Sequence, residues 1–411
     1  MIKKVTKIKN SLEGNFKLSQ GVDVEIYSSI QKFNKTDWVK LIPKESFFLS
    51  WDYLWTFEKL AAPNFRFQYV IVSENNRPVA AFYFQLIFLL ESEISYILKP
   101  LASKLPKISI ANEIRDWFVK CSIEKGFRLL VSGNNFISGE YGIGISPNAV
   151  VKEVFDAFAD TVKLISKNDK RDGKISAILV KDYFENTAVT TADHLQKKRY
   201  HRFLVEPEMI VAIQPEWKKF NDYLQAFSKK YRNRANVVLK KTKSLNEIAL
   251  NVVELEKVAT EIYQLYKNVY DRAKFRLSIL PANYFIEMKK AFPDTFHIYI
   301  YQMDGKVVAF RSEFLLSAQL EGHFIGLDYA VNELYPIYQR MLYDFIRDGI
   351  ALGYQKVYLG RTAAVMKSTV GAVAHDLVCY LKYSNGIAGQ IARPFIEYLK
   401  PSIGVIRNPF K

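Results

Sequence analysis

The strongest constraint on this chain is that one succession of elements is written in it twice. A helical stretch over residues 51–60 precedes an apolar run at 65–72, a polar turn at 73–78 (SENNRP) and a second apolar run at 79–90. The order returns with a helix over 283–292, a strand over 296–301, a hairpin turn at 303–306 (MDGK) and its partner strand over 307–316. The two hairpins align locally, RPVAAF against GKVVAF. Each half then continues strand, helix, strand: 127–131, 150–165 and 175–180 in the first, 320–327, 335–352 and 356–359 in the second. In the last helix Ile337, Met341 and Phe345 recur with Tyr338, Leu342, Ile346 and Ile350 on one face. Gln339, Arg340, Asp344 and Arg347 face away, and Gly353 ends the helix. Two mixed α/β units are therefore expected, rather than one long doubly wound sheet.

Length and composition agree. At 411 residues the chain exceeds what a single core usually serves, and 49% apolar with 24% charged residues is globular composition. The hinge is expected near 195–215, where no long Gly/Ser linker occurs, so the halves should pack rather than swing. The most apolar run, 79–90, is short of the ~20 residues that cross a bilayer, and the lysine-bearing N-terminus holds no signal-peptide core, so a cytoplasmic protein is expected. Cys121 and Cys379, one in each half, have neither metal-ligand spacing nor a disulfide framework and read as reduced core thiols. His194, His201, His297 and His375 form no HxxxH or HExxH pattern, so no metal is expected. The absence of GxxxxGK[ST] and GxGxxG argues against a P-loop ATPase or a dinucleotide-dependent oxidoreductase. A formal net charge of +16 calls for an anionic partner: nucleotide phosphates, nucleic acid, an acyl carrier protein or lipid headgroups.

The hairpin–strand–helix–strand order resembles the core of GNAT acyltransferases, and its tandem occurrence resembles the Fem-type peptidyltransferases and related acetyltransferase-like bacterial proteins. Three segments carry the likeness: GNNFISGEYG (133–142), YLQAFSKKYRNRANVVLKK (223–241) and YLGRTAAVMKSTVGA (358–372). The resemblance implies an α/β (α+β) fold of two tandem GNAT-like domains, 20–200 and 201–385, each a mixed, mostly antiparallel sheet flanked by helices, with a basic C-terminal tail at 386–411. It also implies transfer of an acyl group to an amine, including the N-acylation of amino-lipids, with acyl-CoA or acyl-ACP as donor. Two departures stand out. The junction 328–336 (DYAVNELYP) lacks the Gly-rich turn with which a GNAT grips the coenzyme A pyrophosphate, so ordinary acetyl-CoA binding is not expected there. An apolar stripe over 254–269 spans only two heptads, short of the coiled-coil arm of tRNA-dependent Fem ligases, which ranks a tRNA donor below a thioester.

The segment 217–243 holds nine Lys or Arg against one acid, Asp222. Lys229, Lys230, Arg232 and Arg234 are candidates for an anionic ligand, with a solvated helix face as the alternative. Gly133, Asn134, Ser138 and Glu140 follow a buried strand and form either a ligand loop or a tight structural turn. Gly360, Arg361 and Thr362 end the last strand, where open α/β sheets place ligands, and Lys367 follows; a structural Arg361 is the alternative. Tyr338 orients substrate or packs in the core. Transfer to an amine needs a proton acceptor and oxyanion donors. Glu321 and His323 share a strand face, with Asp328 at its end and Glu313 on the next strand, and His323 is the first choice of acceptor. Three functions compete: N-acyl transfer from a thioester, Fem-like aminoacyl-tRNA-dependent transfer to a cell-wall precursor, and a degenerate fold that only binds. An acyl carrier protein and a peripheral contact with the cytoplasmic membrane face are the partners expected from charge.

Overall fold

The computed structural model describes residues 12–18, 21–89, 127–168, 174–273, 278–384 and 404–411. Cys121, the end of the predicted strand at Leu90 and most of the predicted tail, 386–403, lie outside the described residues. Two compact units divide the chain: Met1–Val205 with Leu377–Lys400, and Glu206–Asp376 with Pro401–Lys411. Each is a mixed α/β unit whose strands are mostly antiparallel.

In the first unit β1 (Gly14–Lys17), β2 (Asp23–Tyr27), α1 (Lys35–Leu41) and α2 (Trp51–Leu60) lead to the hairpin of β3 (Phe65–Glu74) and β4 (Arg77–Leu89). Next come β5 (Phe127–Ser132), the short β6 (Ile143–Ile145), α3 (Val151–Asn168), β7 (Ala177–Phe184) and α4 (Glu185–Thr190). Neighbours run β1-β2-β3-β4-β5-β7, all antiparallel except β5 with β7, and β6 pairs with β4. The helix α3 lies on this sheet because Val154, Phe155, Phe158, Val162 and Ile165 recur at helical spacing and are buried. Phe158 meets Phe82 and Phe84 of β4 at ring centroids of 5.3 and 5.4 Å.

The second unit takes up β8 (His201–Ala212), then α5 (Phe220–Ala226), α6 (Lys229–Lys241), β9 (Asn246–Ala249), α7 (Val252–Lys257), α8 (Ala259–Arg272) and α9 (Tyr284–Ala291). The hairpin of β10 (Phe296–Met303) and β11 (Lys306–Leu315) follows, then β12 (Gln319–Leu327), α10 (Tyr329–Leu334), α11 (Ile337–Ala351), β13 (Lys356–Tyr358), α12 (Ala364–Ser368) and β14 (Val373–Tyr383). Neighbours run β9-β10-β11-β12-β13-β8, antiparallel except β12 with β13. An antiparallel hairpin, a third antiparallel strand, a helix and a parallel strand thus occur in both units in one order.

Both hairpins turn through two residues with positive φ: Asn75 (48°) and Asn76 (62°), Asp304 (50°) and Gly305 (78°). This is the twist-matched type I′ geometry that Asn, Asp and Gly tolerate. The helix α11 buries Ile337, Met341, Leu342, Phe345, Ile346 and Ile350 as its period predicts, but begins after Pro336 rather than at Tyr335. One expectation is corrected: Asp344 does not face solvent but is buried, held by Arg340, Arg347 and the Tyr301 hydroxyl.

The boundaries run differently from the simple halves. From Leu377 on, β14 pairs antiparallel with β7 of the first unit. Nor is the described end of the chain a free tail. Phe410 bridges to Phe227 and packs on Trp217 and Tyr223, with centroids at 5.5 and 6.3 Å. Apolar contact outweighs the solubility of a basic segment here.

Candidate active site

In the second unit β12 and β13 stay together for three residue pairs, Gln319 with Lys356, Leu320 with Val357 and Glu321 with Tyr358. Beyond these they part. β12 continues along β11 to Leu327, while the chain after Tyr358 stays with β8 through Leu359 N–H to the Met209 carbonyl (2.9 Å) and Met209 N–H to the Gly360 carbonyl (3.3 Å). A parting of parallel strands exposes the ends of two backbones at one place, which is where open α/β sheets receive ligands.

Titratable groups gather at this opening. Lys367 of α12 is 5% exposed and donates from Nζ to the carbonyls of Gly360 (2.9 Å) and Arg361. Burial pushes its pKa down to about 8 against the opposing pull of Glu208 and Glu206. Glu321 is buried, accepts from Gln319 Nε2 at 3.1 Å, and has its pKa raised well above the usual carboxylate range by burial and by nearby Glu208. Burial and the same two acids push the Tyr358 hydroxyl up to about 12. Over the cluster, Gly360, Thr362 and Ala363 all have positive φ (78°, 55° and 51°). Two consecutive non-glycine residues in this region store backbone strain, which folds tolerate mainly at functional sites. Chemically the set offers a lysine whose proton is loosened by burial, a carboxyl on β12 biased toward its protonated form, and backbone held in a fixed unusual shape.

The structure brings Arg361, Thr362 and Lys367 together in this cluster and gathers the other predicted residues elsewhere. His323 lies among Phe296, Phe314 and Phe324, the last at a centroid distance of 4.3 Å, with Nε2 2.9 Å from the Tyr284 hydroxyl. Burial pushes its pKa down to about 3, so the imidazole takes up no proton near neutrality. Among the candidates for proton acceptor, His323 is thus a weaker base than Lys367. Glu313 is fully buried in an ion network with Arg311, which also reaches Glu247 (2.8 Å) and Asp348. Burial raises Glu313 to about 7, and its Oε1 has no hydrogen-bond partner. Asp328 caps α10 by accepting from Ala330 N–H at 3.1 Å and pairs with Lys306 at 3.3 Å, a local structural task. Tyr338 packs between the apolar clusters around α11.

In the first unit Gly133 has φ 124°, and a Cβ there would meet Lys181 Cγ at 2.7 Å. Asn134 is buried, donating to the Tyr53 hydroxyl (3.1 Å) and accepting from Phe136 N–H (2.9 Å). Lys181 donates to the Asn134 and Ile137 carbonyls at 2.7 and 2.9 Å and pairs with Asp182 at 2.5 Å. Ser138 lies half-buried in the same loop. Glu140 accepts from Phe184 N–H at 3.0 Å, its pKa raised by burial. This loop thus closes over the place where β5 and β7 end their pairing at Ser132 and Val180. On α6, Lys229, Lys230 and Arg234 are exposed, and Arg232 is half-buried against Gln225 (3.1 Å).

Glu208 is the residue the sequence reading missed. It sits 2% exposed on β8, and Glu206-Pro207-Glu208 places two acids on one strand face by the two-residue period. That spacing, with a proline inside a strand, was the available signal. Among the described residues no three His, Cys, Asp or Glu side chains cluster so as to hold a metal ion.

Residues 229–368, from the first residue of α6 to the last of α12, match the family described as Acetyltransferase (GNAT) domain. No curated protein matches the chain in sequence. Among solved structures it is similar to FemX, at 11% identity and a TM-score of 0.54, covering 89% of this chain and 99% of that one. It is also similar to a tandem GNAT protein from the clavulanic acid biosynthesis pathway, at 9% identity and a TM-score of 0.49, covering 88% and 99%. Residues 229–368 of the second unit are thus similar to a GNAT domain, and the chain shares the α/β fold of FemX.

Proposed function

We propose, with a Fem-like GNAT fold as the premise, that the chain transfers an acyl group from a thioester, of coenzyme A or an acyl carrier protein, to an amine such as an amino-lipid. The observation that carries this reading is the buried set of Lys367, Glu321 and Glu208 gathered where β12 and β13 part. In the reaction the amine nitrogen attacks the thioester carbonyl carbon, the C–S bond breaks, and an amide and a thiol result. The amine must lose a proton and the thiolate gains one. Lys367, neutral above about pH 8, accepts the first through its lone pair while keeping both donated hydrogen bonds. Glu321, kept protonated, supplies the second. The strained 360–363 backbone holds Lys367 in register through the Gly360 and Arg361 carbonyls.

The test is thiol release by the purified full chain from a panel of acyl thioesters and amines, without tRNA. Lys367→Met and Glu321→Gln should each lower turnover by at least 100-fold in proteins that still melt cooperatively. Wild-type rates in Lys367→Met, or no thiol release from any pair, would remove the assignment. The cations of α6 favour a second reading, Fem-like transfer from aminoacyl-tRNA, which demands tRNA binding that weakens steeply with salt. Among the described residues no helix is long and apolar enough to cross a membrane.

A further inference from the structure

We infer that α6 and the surface beside it seat the second unit on a bilayer carrying anionic headgroups; this does not depend on which acyl donor is used. Lys229, Lys230, Arg234, Lys240 and Lys241 are exposed, and none lies within ion-pair distance of a described carboxylate. Four lysines on other helices, Lys152 and Lys163 of α3, Lys267 of α8 and Lys290 of α9, hold acid partners at 2.6–2.8 Å. Moreover, Lys229 and Lys230 occupy the first turn of α6, which has no acid, where the helix dipole disfavours cations. An external anionic layer relieves both conditions.

Charge is joined to exposed aliphatic surface. A groove of about 480 Å³ runs between α6 and the start of α11, with Arg234, Val237 and Lys241 on one side and Glu333, Leu334 and Pro336 on the other, its two cations outnumbering the one acid. Val237 is 53% and Leu334 70% exposed. The final segment extends this surface: the Pro409 carbonyl accepts from Ser228 N–H at the start of α6, and Arg407 N–H donates to Ser368 Oγ of α12. Val365 and Val405 are exposed there too. Aliphatic side chains among lysines suit a headgroup–acyl boundary. A single-stranded nucleic acid would call instead for free aromatic faces, and on α6 the single ring, Tyr231, is half-buried with Lys230 and Arg234 over it at 5.9 and 5.6 Å.

The test is flotation of the full chain with phosphatidylcholine vesicles, and with vesicles of phosphatidylcholine and phosphatidylglycerol at 7:3, at low and high salt. Binding to the anionic vesicles alone is expected, weakened roughly fivefold for each cation removed and abolished at high salt. Val237→Asp with Leu334→Asp should lose binding while α6 keeps its cations, and a circular dichroism melt at the wild-type midpoint shows that the fold is intact. No flotation, flotation unchanged by Lys229→Glu with Lys230→Glu and Arg234→Glu, or full binding by the aspartate pair overturns the inference. So does binding of a tRNA probe without binding of vesicles.

Discussion

Lys367 and Glu313 show how a single buried group can be placed on one side of neutrality or at it. For Lys367, burial disfavours the ammonium, and the folded pKa of about 8 lies below the ordinary lysine value. Stability therefore rises with pH from about 8 to about 10.5, where the unfolded chain holds a proton that the folded chain has lost. If Lys367 is the proton acceptor, thiol release rises through pH 8 in the wild type, and Lys367→Arg, always charged, stays inactive across the profile. Glu313 has the opposite sign. Its folded carboxyl holds a proton to about pH 7, so stability falls as pH rises from about 4.5 to 7, and the penalty is complete above 7. Glu313→Gln should melt above the wild type at pH 8, by on the order of 1–3 kcal/mol, and match it near pH 4.5; equal midpoints at pH 8 would show that the ion network already accommodates the charge. Neither environment was legible in the sequence. Period-two counting gave Glu321 and His323 one strand face, but that His323 falls among phenylalanines depends on residues from α9, β10 and β11 that no local pattern joins.

At the level of elements the text was more readable. Both hairpins, α3 and α11 follow from periodicity and turn chemistry, because each is decided by residues adjacent in the chain. The burial of Asp344 was not, since its partners Arg340 and Arg347 are helix neighbours but Tyr301 is a strand away. The start of α11 moved past Pro336, which cannot sit inside the helix. Close element packing supplies a further prediction. A Cβ on Gly326 of β12 would come within 2.6 Å of the Leu265 backbone of α8, so Gly326→Ala should cost about 2 kcal/mol in a denaturant melt. The loop over β5 and β7 is similarly specified: Lys181→Met removes two carbonyl contacts and a buried ion pair and should cost about 3 kcal/mol. If the first unit takes no part in chemistry, that variant keeps its turnover at temperatures where it stays folded.

For the whole molecule, the duplication was visible but the ownership of its last segments was not. A strand that leaves one unit for the other, and an aromatic that comes back, are long-range apolar choices with no sequence marker. Phe410 is half-buried beside Trp217, Tyr223 and Phe227, and Phe410→Ala should lower the stability of the second unit by about 2 kcal/mol, read as an earlier thermal transition.

Because residues from Leu377 on complete the first unit and Phe410 helps close the second, neither can reach its finished form until those residues have left the ribosome. The earlier unit has to wait, with its β7 edge unfilled, for a strand translated almost two hundred codons later. Such a chain is exposed to chaperones and to edge-to-edge mispairing throughout that interval, and a stop before Leu377 damages both units together.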